Sequence, residues 1–416
     1  MANLLALGCD SFGYELPTFK IVLLRRVTLA CFELIVLFCS VVYAQNAIAE
    51  DRCDLLLSDS QLKENGSHIK ELLKQKKYAA LEDEFKTKQD MVERGEYSDE
   101  LLRLDFDAAF DSDPEIEPLV SEWAREYPAS YAALVARAFY YVSSGYAKRG
   151  HEFVNETSRE QLAAMERQFG LAAADLKTAI SMTKKPTVAY AETIFLARAS
   201  SSHGSARSFF RRANRRFPKS LAIKVTAAYA FNPKWGGSFE ELDQLVAAAS
   251  EAKMKPNEIA VLKYRVEMEK ANFFEVITKQ KRRAAAHYRL AGNICEAYWP
   301  WENVTRTSYD LEDWPSVIAA AGHLIQLDPT NGYAFQRRGW AYEKTDRMAE
   351  AVKDYEVAAE IGMPWAQNKL GWMLWQGIDV PKDVRRAEEL FIKAAAQGNE
   401  NAPANLRDLM AEEGNR

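Results

Sequence analysis

Tyr146, Lys148, Arg149, His151 and Glu152, with Gly150 among them, form the most site-like polar cluster in the chain. A histidine beside a glutamate on a loop could act as a general base or help to hold an anion, because imidazole titrates near neutrality. The same residues also suit a plain helix C-terminus, where Lys and Arg complement the helix dipole and Gly closes the last turn. A second cluster is basic: Arg207, Arg211, Arg212, Arg215, Arg216 and Lys219, interleaved with Phe209 and Phe210. It offers a surface for an anionic polymer or lipid headgroups, or simply a solvated helix face outside the apolar stripe Ala206, Phe210, Ala213. Trp235 stands between Pro233 and Gly236-Gly237. It could meet a ligand at the surface, or plug the core while the glycines turn the chain.

Other chemistry is not signalled. The five histidines are His68, His151, His203, His287 and His323, and no two share metal-ligand spacing. There is no Gly-x-Ser-x-Gly, no phosphate-binding glycine loop ending in Lys-Ser/Thr and no Cys-x-x-Cys. No catalytic residue, metal site or cofactor is expected. The net charge of -5 gives no global attraction for nucleic acid.

The elements that would position these residues are helices. The chain has 416 residues, 48% hydrophobic, which is ample for a large core, and β-branched runs are scarce. Apolar residues recur near every 3.6 positions, as in Leu162, Met165, Phe169, Leu176 and Ile180. Tyr131, Leu134, Val135, Ala138, Phe139 and Val142 form another such face. The break at Lys74–Lys77 separates two helices, and Ser238 is a plausible N-cap. Residues 256–290 read as helical, and Tyr298-Trp299-Pro300-Trp301 as an aromatic turn. Helices separated by short polar turns describe an array of helical hairpins.

The N-terminus reads as a targeting segment. Lys20, Arg25 and Arg26 precede the apolar run Val27–Val42, and Val42-Tyr43-Ala44 supplies small residues for cleavage after Ala44. Glu33 in the middle of the run would cost about 2.5–3.5 kcal/mol at a bilayer centre, which disfavours an anchor. The mature chain would then be periplasmic or secreted; left uncleaved, the segment would anchor it to the inner membrane. Cys9, Cys31 and Cys39 lie in the segment to be removed. Cys53 and Cys295 would remain, either paired in an oxidising compartment or as two buried thiols.

The most regular stretch is residues 331–406. Gly339, Tyr342, Ala351, Tyr355 and Ala358 mark one hairpin and Pro364 its close. Residues 332–365 thereby resemble a tetratricopeptide repeat. Ala366-Gln367-x-x-Leu370-Gly371, Gly377, Val380-Pro381-Lys382-Asp383, Ala387, Phe391 and Lys393-Ala394-Ala395-x-Gln397-Gly398 resemble a Sel1-like repeat, with Leu374 where that family usually has Tyr. Residues from about 63 to 297 resemble a bacterial family known as domain of unknown function 4034. The carrying residues are Leu73–Phe85, Trp123–Tyr141 with Arg149-Gly150, and Pro233-Lys234-Trp235-Gly236-Gly237-Ser238. That resemblance implies a helical domain and no known activity.

The resemblances imply an all-α, right-handed α–α superhelix, or solenoid, of helical hairpins. The expected division is a signal peptide at 1–44, a linker at 45–60, a helical domain with degenerate hairpins at 61–297, tetratricopeptide-like repeats at 298–365, and a Sel1-like repeat with a C-terminal cap at 366–416. In tetratricopeptide units the first helix lines the concave face. The resemblance therefore places Tyr333, Gln336, Trp340 and Glu343, with Asn368, Trp372 and Trp375 of the next unit, as protein-binding candidates. The expected function is a non-catalytic interaction scaffold or adaptor in a Gram-negative periplasm, with a protein or peptide partner, no nucleic acid, and a membrane only if the N-terminal segment anchors it. Two rivals are an enzyme with a site in residues 61–297, around 146–152, and a secretion-linked or toxin-neutralising binding partner.

Overall fold

A computed structural model describes residues 53–150, 156–199 and 203–414. The expected targeting segment lies outside the described residues, as do His151 and Glu152. All described residues belong to one structural unit, residues 52–416. Among them no strand occurs, and none of the helices is long and apolar enough to cross a membrane.

Nineteen α-helices follow one another among the described residues. They are α1 Asp59–Lys74, α2 Tyr78–Arg94, α3 Asp99–Ala109, α4 Ile116–Glu126, α5 Tyr131–Arg149, α6 Arg159–Ala179, α7 Thr187–Ala199, α8 His203–Arg216, α9 Leu221–Ala230 and α10 Phe239–Glu251. Then come α11 Pro256–Asn272, α12 Lys281–Ile294, α13 Tyr298–Asp310, α14 Trp314–Leu327, α15 Gly332–Lys344, α16 Met348–Ile361, α17 Pro364–Gln376, α18 Val384–Ala396 and α19 Ala402–Gly414.

Local chemistry starts these helices. The Ser58 side chain accepts from the Gln61 amide while Gln61 reaches back to the Ser58 amide, a capping box that opens α1 at Asp59. Ser158 and Gln161 repeat the device on α6, and Ser238 caps α10 through the Glu241 amide at 3.1 Å. One cap is not local. Asp99, at the start of α3, accepts from the Leu221 and Ala222 amides at 3.1 Å each and from the Ser220 hydroxyl. A buried carboxylate thereby satisfies the orphan amides of α9, more than a hundred residues downstream.

The fold is an all-α solenoid of helical hairpins. From α12 onward each helix packs chiefly on the helix before it and the helix after it. The first half is more interwoven, with α3 touching α1, α2, α5, α7 and α9. Its core is aromatic: Phe85 lies 4.4 Å from Phe106 and 6.1 Å from Trp123, ring centre to ring centre, and Phe106 lies 5.6 Å from Phe139. Trp123 is fully buried, and its indole donates to Glu82 at 2.6 Å. The segments Leu73–Phe85 and Trp123–Tyr141 that carry the resemblance are thus the walls of this core.

Residues 256–290 are helical as expected, in two pieces, because α11 runs into a π-turn at Phe273–Ile277 and the chain then breaks at Lys279, whose φ is +57°. The break carries neither Gly nor Pro to announce it. One expectation needs correction, the aromatic turn. Tyr298–Trp301 is the first turn of α13. Proline is tolerated there because the first amides of a helix have no partner within it.

Candidate functional site

The residues singled out near the C-terminus sit on the first helices of successive hairpins, α15 and α17. Lys369 links the two. Its Nζ donates to Glu343 Oε1 at 2.8 Å and lies 6.0 Å from the Trp340 ring centre and 5.7 Å from that of Trp372. Lys344 approaches the Trp340 ring to 5.0 Å. These are cation–π distances, so two tryptophans and two lysines form one ladder across the hairpin boundary. Trp372 is 37% exposed, Trp340 is half-buried and edge-on to Trp365, and Tyr333 is exposed.

The other candidates have partners within the fold. Glu343 also accepts from the Tyr355 hydroxyl at 2.7 Å, so both its oxygens are engaged. Burial, and then Glu343, push the Tyr355 phenol well above its ordinary range. Asn368 accepts from Asn405 at 2.9 Å, and the Trp375 indole donates to Glu412 at 2.9 Å. Both residues tie α17 to α19. Gln336 Oε1 is buried and has no hydrogen-bond partner among the described residues. Lys369 was not among the sequence candidates. Its signal is weak, a lysine between two tryptophan positions on one helix face.

The polar cluster at 146–152 resolves in part into a helix end. Lys148 and Arg149 occupy the last turn of α5, and Gly150 follows it with φ +79°. Tyr146 faces inward, and its hydroxyl accepts from Arg198 Nη2 at 2.6 Å. Arg198, near the end of α7, lies 4.2 Å from the Phe195 ring centre and 4.6 Å from those of Tyr229 and Trp235. Thus Tyr146 and Trp235, unconnected in the sequence, converge on one guanidinium. The signal for Arg198 was its setting: Glu192 and Arg198 are the only charged residues in the sequence of α7, TVAYAETIFLARA.

Trp235 ends a single 3₁₀ turn, Pro233–Trp235, capped by Asn232. Asn232 donates to the backbone and carboxylate of Glu269, at 2.9 and 3.0 Å. Gly237 is needed because a Cβ there would lie 1.8 Å from the Phe231 carbonyl oxygen.

The basic run divides. Arg207 is held by Glu241 at 2.6 and 2.9 Å, whereas Arg211, Arg212, Arg215, Arg216 and Lys219 lie towards solvent. Ala206 and Ala213 are buried, which makes the basic side the solvated face of α8. Of the histidines, His287 pairs with Glu267 at 2.6 Å, and His323 lies flat on Trp301 and meets Glu296 at 2.8 Å. No group of three potential metal ligands occurs among the described residues.

Comparison with family models matches two segments of the chain. Residues 366–399 match the Sel1 repeat. Residues 66–206 match a domain of unknown function, DUF4034. The Sel1 repeat comprises α17, α18 and the turn after them, and includes Lys369 and Trp372. The DUF4034 segment holds the aromatic core and Arg198. No curated protein matches the chain. Among solved structures, a Sel1 repeat protein from Oxalobacter formigenes is 16% identical, over 51% of this chain and 86% of that one, with a TM-score of 0.29. The uropathogenic Escherichia coli antigen c5321, which displays an SLR fold, is 15% identical, over 81% and 82%, at 0.29. YrrB, a TPR protein with an unusual peptide-binding site, is 16% identical, over 45% and 93%, also at 0.29. Repeats of the Sel1 and tetratricopeptide type are typical of protein–protein interaction scaffolds.

Proposed function

We propose that this protein is a non-catalytic interaction scaffold that binds a protein or peptide segment along the first helices of its C-terminal hairpins. The observation that carries the reading is the Trp340–Lys369–Trp372 ladder, which spans two consecutive hairpins and leaves Trp372 37% exposed. Aromatic rings flanked by long cationic side chains combine apolar contact with polar grip. Tyr333 extends the same helix face and is exposed. Residues 61–297 would serve as the base from which the repeats at 298–365 and 366–416 project.

We further propose that the chain is exported to the periplasm or beyond. The basic-then-apolar N-terminal segment supports this, and so does the Cys53–Cys295 disulfide, with Cα atoms 5.7 Å apart. Such a link persists in an oxidising compartment and is rare in a reducing one.

The test is peptide-display selection on the full chain, followed by affinity measurement on the selected peptides. Trp372→Ala and Lys369→Ala should each weaken binding about tenfold, the scale of an interface anchor. Peptides that bind wild type, Trp340→Ala and Trp372→Ala equally well would place the partner elsewhere.

A further inference from the structure

Arg198 is 5% exposed, yet it has no carboxylate partner among the described residues. A guanidinium carries five N–H donors and a fixed charge, and its burial is costly unless both are answered. Elsewhere in this chain they are answered by a carboxylate fork. Arg103 meets both oxygens of Glu100 at 2.9 and 2.8 Å, Arg137 both oxygens of Asp175 at 2.8 and 2.7 Å, and Arg338 both oxygens of Asp354 at 2.8 Å. Arg198 instead donates to the neutral Tyr146 hydroxyl, and its Nε is buried with no acceptor among the described residues. Two buried acids act on it only through space: Glu269, which accepts from Asn232 and also interacts with Lys234, and Glu192, which also interacts with Asp107 and Arg103.

Two more unanswered donors surround the same rings. Trp235 Nε1 is buried with no acceptor among the described residues. Lys234 Nζ rides 5.1 Å from the Tyr229 ring centre and 5.7 Å from that of Trp235, and forms no ion pair among the described residues. Arg198 and Trp235 keep buried donors with no acceptor among the described residues, and Lys234 adds a second cation beside them. A water molecule would answer one donor; an oxyanion can answer several at once and carries a charge that complements both cations. Phe195, Tyr229 and Trp235 contact the guanidinium by their rings, and the Nε side of the fork keeps a donor that a planar or tetrahedral oxyanion could meet.

We propose that Arg198, Lys234 and Trp235 form a binding site for the oxyanion group, carboxylate or phosphate, of a small molecule. The site lies between α5, α7 and the Pro233–Trp235 turn. It is independent of the peptide-binding face, which draws on none of these residues.

Calorimetric titration of the full chain with inorganic phosphate and, separately, with acetate tests the site at constant ionic strength near neutral pH. Saturable single-site binding of at least one ion is expected. Saturation by phosphate alone assigns the phosphate group, and by acetate alone the carboxylate. Arg198→Lys keeps the charge and loses the fork, and should weaken binding about tenfold. Should that variant fail to fold, Lys234→Gln at the rim should still weaken binding roughly fivefold, as loss of one charge-assisted bond does. Trp235→Phe, which removes only the indole donor, should weaken it less, and Arg212→Gln on the solvated face should leave it unchanged. If neither ion binds saturably, or if Lys234→Gln binds as wild type does, the proposal is overturned.

Discussion

Gly339 and Tyr355 meet where α15 crosses α16, so closely that a Cβ on Gly339 would lie 2.8 Å from Tyr355 Cε1. The next hairpin repeats the contact: a Cβ on Gly371 would lie 2.9 Å from Phe391 Cε1. Both aromatic rings are fully buried. Gly339→Ala and Gly371→Ala should therefore each cost about 1–3 kcal/mol through overpacking. Urea denaturation checks this. Gly170→Ala is the control, since a Cβ there meets nothing within 4 Å, and it should be neutral or slightly stabilising.

Asp99 should matter more than an ordinary cap. Its carboxylate is buried and answers two amides and a hydroxyl at the start of α9. Asp99→Ala leaves those donors unanswered inside the fold, at a cost of about 2–4 kcal/mol. Ser58→Ala, at the exposed cap of α1, should cost only about 1 kcal/mol. Equal losses in a chemical melt would mean that the long-range cap contributes no more than a local one.

Glu192 sets a pH dependence. Burial first, and then the nearby Asp107, push its carboxyl up to about 8, against the pull of Arg103 and Arg198. In this range the folded chain holds a proton that the unfolded chain releases, so stability is full below the usual glutamate range and falls as pH rises towards about 8. Every tenfold difference in proton affinity between the folded and unfolded chain is worth about 1.4 kcal/mol. Glu192→Gln should flatten that slope and be the more stable protein at the alkaline end, by a few kcal/mol. Chemical denaturation of both proteins at the two ends of the interval measures it; an unchanged slope assigns the pH dependence to other groups.

The Cys53–Cys295 link joins residues 242 apart in sequence. Cys295→Ser should lower stability by about 2–5 kcal/mol. Reductant should lower the melting temperature of wild type towards that of the variant and leave the variant where it is.

The hairpins were legible because a solenoid is built locally. Gly339 with Tyr355, and Gly371 with Phe391, are small and large residues at short separation, and their fit is visible as spacing. Sequence order hid what the tertiary fold assembles. Tyr146, Arg198 and Trp235 lie in three separate elements, so no motif could join them. Asp99 reads as part of its own helix start, although its carboxylate serves α9. Trp340 and Trp372 were readable as a pair, but Lys369 became visible only once two hairpins were stacked. The π-turn at Phe273–Ile277 depends on packing rather than on a breaker residue, and so left no mark.

The disulfide divides the chain mechanically. Residues 53–295 form a covalently closed ring, while α13–α19 hang from it as an open tail that carries the tryptophan ladder. Along the covalent chain the path from the ladder reaches Cys295 and crosses directly to Cys53, bypassing the helices between them, although Lys281–Asp310 and Glu275–Arg306 still tie that ring to α13. If the hairpins of the tail open one after another, the ring stays closed, so the part that carries the ladder can unfold without opening the part that holds Arg198.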